Sequence, residues 1–105
     1  MKISDRYREV NRDVSEFLAS LANPDDEVLQ AERSVRKASD CLKDWVEQVG
    51  EIPRMHLEMK LTPILLKAHN HLDRSRLLFE EVGAEDRAAG AWGLQQKIYR
   101  LLNDL

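Results

Sequence analysis

A single cysteine, Cys41, is all the thiol this chain carries. One cysteine closes no intrachain disulfide and builds no thiolate metal cluster. Glycine and proline are scarce, with four and three in 105 residues. A β-rich fold of this length needs many more tight turns than that. No apolar run approaches the roughly 20 residues that span a bilayer, and the start Met-Lys-Ile-Ser-Asp-Arg has no apolar stretch of the signal-peptide kind. The expectation is a cytoplasmic protein without a membrane segment. Charge of one sign is also missing. Residues 1–52 hold 12 acids and 8 bases, residues 53–105 hold 7 and 8, and the net charge is -3. Neither half is a basic patch, so the electrostatic footprint of nucleic-acid binding is absent.

What is present is hydrophobic periodicity. Hydrophobic residues make up 43% and charged residues 33%, a balance typical of a folded globular domain. Ile3, Tyr7, Val10, Val14, Phe17 and Leu21 alternate spacings of four and three. This heptad pattern predicts a first helix over about Ser4 to Leu21. Asn23 and Pro24, followed by Asp25, Asp26 and Glu27, carry the chemistry of a helix start: a capping side chain, a first-position proline, and acids against the positive end of the dipole. The second stripe is Val28, Ala31, Val35, Ala38, Leu42, Trp45 and Val49, and Gly50 stands where a left-handed residue would end that helix.

Residues 51–61 admit two readings. Ile52, Met55, Leu57, Met59 and Leu61 partly alternate, yet a lone strand has no pairing partner in a helical chain. A connector, or a short extra helix over about 53–61 beginning at Pro53, fits better. Thr62-Pro63 is then a second cap pair or the site of a kink. The third helix runs on to Val82 with Gly83 as its stop, through Leu61, Ile64 or Leu65, Ala68, Leu72, Ser75, Phe79 and Val82. The fourth begins at Ala84-Glu85-Asp86 and buries Ala84, Ala88, Ala91, Leu94, Ile98, Leu101 and Leu105. Helices of similar length with short connections predict one all-α domain over 1–105, an antiparallel up-down-up-down four-helix bundle.

The third helix has apolar residues to spare. At about 100° per residue, Met59, Leu66 and Leu77 fall opposite its core stripe, with Met55 near them. Trp92 and Tyr99 widen the apolar arc of the fourth helix. Either the 51–61 connector folds back over this surface, or Met59, Leu66, Leu77, Trp92 and Tyr99 form an interface with a protein partner or a second copy. Ala88, Ala89, Gly90, Ala91 and Gly93 also gather on the fourth helix, where small residues permit close helix packing within the bundle.

Site chemistry is sparse. His69 and His71 point about 200° apart on a helix, so they cannot share an ion. His69 and Asp73 read as a solvated i, i+4 pair. Cys41, on the edge of the second stripe, reads as a small buried hydrophobe. The carboxylates read as surface groups, often paired with a base as in Glu9–Arg12 and Glu32–Arg36. No cofactor, metal or catalytic set is expected. One local pattern stands out: His71 is followed by Arg74 and Ser75. A histidine on a bundle helix, with a base at i+3 and a small residue at i+4, resembles the histidine phosphotransfer family. There a cation one turn on stabilises phosphoryl charge and the small residue leaves room for a partner domain. The resemblance covers about five residues and implies His71 as phosphoacceptor, with Arg-Ser standing where the family has Lys-Gly. The functional expectation is a non-enzymatic protein–protein interaction module, such as a small subunit, adaptor or chaperone-like bundle, with phosphotransfer through His71 as the alternative.

Overall fold

The computed structural model describes residues 2–21 and 25–105, and over these the chain is all-helical. Four helices make up the body: α1 (Ile3–Ser20), α2 (Leu29–Lys43), α3 (Leu57–Glu81) and α4 (Glu85–Asn103). They form a four-helix bundle of 43 × 22 × 20 Å. The expected cap at Asn23 and Pro24 lies outside the described residues. Each helix packs on its neighbours in the ring α1–α2–α3–α4, with α3 making the broadest contacts, to α2 and α4.

Two clusters divide the core by height. One joins the start of α1 (Tyr7, Val10), the end of α2 (Leu42), the start of α3 (Leu61, Leu65) and the end of α4 (Ile98, Leu101). The other joins Leu21, Val28, Ala31, Val35, Phe79 and Ala88, the opposite ends of the same elements. This distribution fits the up-down-up-down order. Phe17 meets Phe79 edge-to-face in the smaller cluster, with ring centroids 6.2 Å apart. The buried hydrophobic residues all come from the stripes expected of the four helices.

The turn from α3 to α4 follows from its glycine. Gly83 has φ 76°, open to glycine at little steric cost. With that turn made, the N–H of Ala84 donates to Phe79 O at 2.9 Å and that of Gly83 to Glu80 O at 3.1 Å, closing the helix end. Gly50 differs from expectation: Gly83 is the residue in the left-handed region. The expected end of the second helix at Val49 moves as well, because α2 stops at Lys43. The cause lies on α1. The buried Tyr7 hydroxyl donates to Leu42 O at 2.7 Å and Arg8 Nε to Val46 O at 3.3 Å. Carbonyls at the end of α2 are thereby satisfied from another helix. The chain tightens instead, with Val46 N–H reaching Lys43 O. Trp45 and Val46 still pack on the larger cluster.

The extra helix expected over 53–61 reduces to a single 3₁₀ turn, Arg54–His56, which leads straight into α3. Helix α3 then runs through Pro63, so Thr62-Pro63 is not its start. Pro63 has no N–H for the Met59 carbonyl. Met59 itself is 67% exposed, so the interruption falls on a solvent-facing part of the helix. None of the described helices is long and apolar enough to cross a membrane.

Candidate interaction surface

The distribution of apolar surface is lopsided. Among the described residues the large exposed hydrophobics are Met55, Met59, Leu66, Leu77, Val82, Trp92 and Tyr99. All belong to α3, its immediate flanks, or α4. The 51–61 connector does not fold back over them: Met55 is 82% exposed and Pro53 to His56 are all open to solvent. Its apolar residues Ile52 and Leu57 turn instead to the larger core cluster. Leu66 and Leu77 keep nearly half their surface, and Trp92 and Tyr99 slightly more than half.

Helices α3 and α4 meet in a definite register. Gln95 Nε2 donates to Asp73 Oδ1 at 3.1 Å, and the Arg76 guanidinium lies 5.4 Å from the centre of the Trp92 ring. Both pairs belong to one antiparallel alignment, which sets Tyr99 level with His69. Trp92 and Tyr99 therefore border the same seam as the outward residues of α3. Arg76 also donates to Asp73 at 2.8 Å and to Glu80 at 3.0 Å. Hydrogen bonds from Arg76 and Gln95 hold the Asp73 carboxyl below its ordinary range. His69 still acts on Asp73 through its charge, while the hydrogen bonds of Asp73 go to Arg76 and, across the seam, to Gln95 of α4. Gln95 is almost wholly buried, and its Oε1 and the Arg76 Nε both lack a hydrogen-bond partner. Beside this network a shallow groove of about 630 Å³ is lined by Arg76, Glu80, Glu85, Ala88, Ala89 and Trp92.

The small residues of α4 divide between two faces. Ala88 and Ala91 are buried, and a Cβ on Gly90 would come within 2.8 Å of the Phe17 ring. Those three serve packing inside the bundle. Ala89 and Gly93 are exposed, and a Cβ on Gly93 would meet nothing within 4 Å. On the α1 side of α4, Lys97 binds Glu9 at 2.9 Å and also Asp13. The expected Glu9–Arg12 and Glu32–Arg36 pairs both form, but Glu9 and Asp13 are half-buried and Glu32 is buried, so these groups are less exposed than local spacing suggests.

His71 faces the other seam, between α2 and α3. It is half-buried, and burial, followed by the charges of Lys37 and Lys67, lowers its pKa. Cys41 lies on the same seam near Lys67, and burial raises its thiol pKa, leaving it a poor nucleophile at neutral pH. His56 is exposed and His69 half-exposed on other faces of the molecule. The aromatic–guanidinium contact at Trp92 and the Gln95 network are not apparent in the sequence, because each joins residues far apart in the chain. No protein-family model, curated protein or solved structure matches this chain.

Proposed function

We propose that the chain is a non-enzymatic protein–protein interaction module, a small cytoplasmic subunit, adaptor or chaperone-like bundle, and that its partner seats on the α3/α4 side. One observation carries this reading: among the described residues the exposed large hydrophobics all come from α3, its flanks and α4, and none comes from α1 or α2. Scattered exposed leucines are ordinary, but a one-sided collection that includes two half-exposed aromatics is the pattern of an interface. Trp92 is held in place by Arg76, so little side-chain freedom is lost when it is covered. The test is capture from native lysate with a tagged chain. Leu66→Asp combined with Leu77→Asp is expected to lose the stoichiometric partner, or the second copy, while keeping the wild-type helical content. Capture identical to wild type would defeat the reading.

A second reading has its own support. Lys37 and Lys67 place two cations near His71 in addition to Arg74, and a lowered pKa keeps the imidazole neutral and nucleophilic at pH 7. Asp73 is held toward α4 by Gln95 and Arg76, away from the His71 seam. On this reading an imidazole nitrogen attacks the phosphorus of a phosphodonor, the donor's bond to phosphorus breaks, and the imidazole gives up its proton. A cognate kinase should then add an acid-labile phosphate that is lost in His71→Gln. Absence of any uptake by the wild type removes this reading and leaves the first untouched.

A further inference from the structure

Gly93 is the least explained residue on the α3/α4 side. It lies in the interior of α4, exposed, with nothing within 4 Å of a Cβ placed there. Glycine in that setting costs a helix stability without serving the packing of its own chain. It follows directly on the half-exposed Trp92. On the same outward face the charges are polarised. Glu85 and Asp86 occupy the first turn and Arg100 the last. Glu85 and Arg100 make no ion pair among the described residues, whereas Glu80, beside Glu85 in the groove, is neutralised by Arg76.

We propose that this face of α4 is the seat of a second copy of the chain, packed antiparallel about a two-fold axis, with each Arg100 set against Glu85 of the other. The inference rests on the interaction reading above and gives its partner an identity. One register brings four of the unpartnered features together. Setting Arg100 against the partner's Glu85 also sets Trp92 against the partner's Gly93, where the missing side chain admits the ring. The span from Glu85 to Arg100 is about 22 Å at 1.5 Å per residue, so the two ion pairs lie about four turns apart, each about two turns from the centre of the contact. Antiparallel helices also oppose their dipoles favourably, while parallel pairing would stack Glu85 on Glu85. A guanidinium suits Glu85, a carboxylate at the rim of the groove that has no ion pair among the described residues, whereas Arg76 already occupies Glu80 and the Trp92 ring.

The test is sedimentation equilibrium of the full chain over a range of concentrations, with melting temperature measured beside it. The wild type is expected to dimerise. Arg100→Glu and Glu85→Arg should each raise the dissociation constant on the order of tenfold, and the double variant should return it to within about threefold of wild type, since the swapped charges attract again. Gly93→Gln should weaken the dimer on the order of tenfold with no fall in melting temperature. A double variant as weak as the singles overturns the proposal, and so does a wild type that is monomeric throughout. A monomeric wild type whose captured partner is lost on Trp92→Ala overturns self-association alone. Capture unaffected by Trp92→Ala and by the Leu66, Leu77 pair overturns the interaction reading with it.

Discussion

Gly90 and Gly93 stand three residues apart on α4 and live in different surroundings. At Gly90 the α1 side comes so close that a Cβ would strike the Phe17 ring at 2.8 Å, while at Gly93 the helix opens onto nothing. The difference extends along both faces. The α1-facing side is used up internally, with Phe17 packed on Gly90 and Lys97 bound to Glu9 and Asp13. The side that continues from α3 leaves Trp92 and Tyr99 half uncovered. A glycine explained by its own fold and a glycine unexplained by it look alike in sequence. Only the neighbours separate a packing requirement from vacant surface.

The sharpest way to break this contrast is to fill both positions. Gly90→Leu forces Phe17 out of its place and should destabilise the fold by about 3 kcal/mol, near the top of the usual range for overpacking. Chemical denaturation would read the loss, and a neutral Gly90→Leu would refute the tight α1–α4 approach. Next in size is Tyr7→Phe, on the closed side. Burial holds the phenol un-ionised, its pKa raised, so its hydroxyl remains a donor to Leu42 O. Its removal should cost about 1 kcal/mol in the same measurement and should speed amide exchange between Asp44 and Val49. Unchanged exchange there would mean that Tyr7 does not set the end of α2. Gly93→Ala should act in the opposite direction, stabilising the monomer by up to about 1 kcal/mol. A loss at Gly93 would show a hidden neighbour on the open side.

The smallest effect is a difference in pH response between the two seams of α4. Asp73, on the α3 side, has its pKa lowered by hydrogen bonds from Arg76 and Gln95. Its contribution is therefore fully present above the ordinary value of 3.8 and is lost as pH falls through the depressed folded value. Lys97, on the α1 side, has its pKa raised, chiefly by Asp13. Its contribution is present below the ordinary 10.5 and is lost as pH rises through the elevated folded value. Asp73→Asn should flatten the acid limb of a plot of melting temperature against pH, and Lys97→Met the alkaline limb. Either variant altering the other limb would contradict the assignment. Both groups are partly exposed, so the changes will be small and will shrink further with salt.

The bundle was legible where periodicity is local. The spacing of Tyr7, Val10 and Val14, and of Val35, Ala38 and Leu42, marks positions that are all buried. Gly83 before Ala84-Glu85-Asp86 marks a turn that forms as expected. What local spacing could not carry was contact at a distance. A tyrosine on α1 bonds a carbonyl at the end of α2, and α3 runs on through Pro63. Gln95 is buried through its bond to Asp73, where amphipathic spacing favours the neighbouring Leu94. The candidate surface divides in the same way. The exposure of Met59, Leu66 and Leu77 follows from their angular position on one helix. The pairing of Trp92 with Arg76 depends on the register of two, which no single stripe contains.

The most direct measurement is the native mass of the tagged chain in fresh lysate, wild type against a variant carrying Leu66→Asp, Leu77→Asp and Trp92→Ala, with melting temperatures compared on the purified proteins. The expected result is a wild type in an assembly well above the 12.2 kDa of one chain and a variant that runs as a monomer with its fold intact. A wild type that already runs as a lone monomer, or a variant that keeps the wild-type mass, would contradict an interaction surface on α3 and α4.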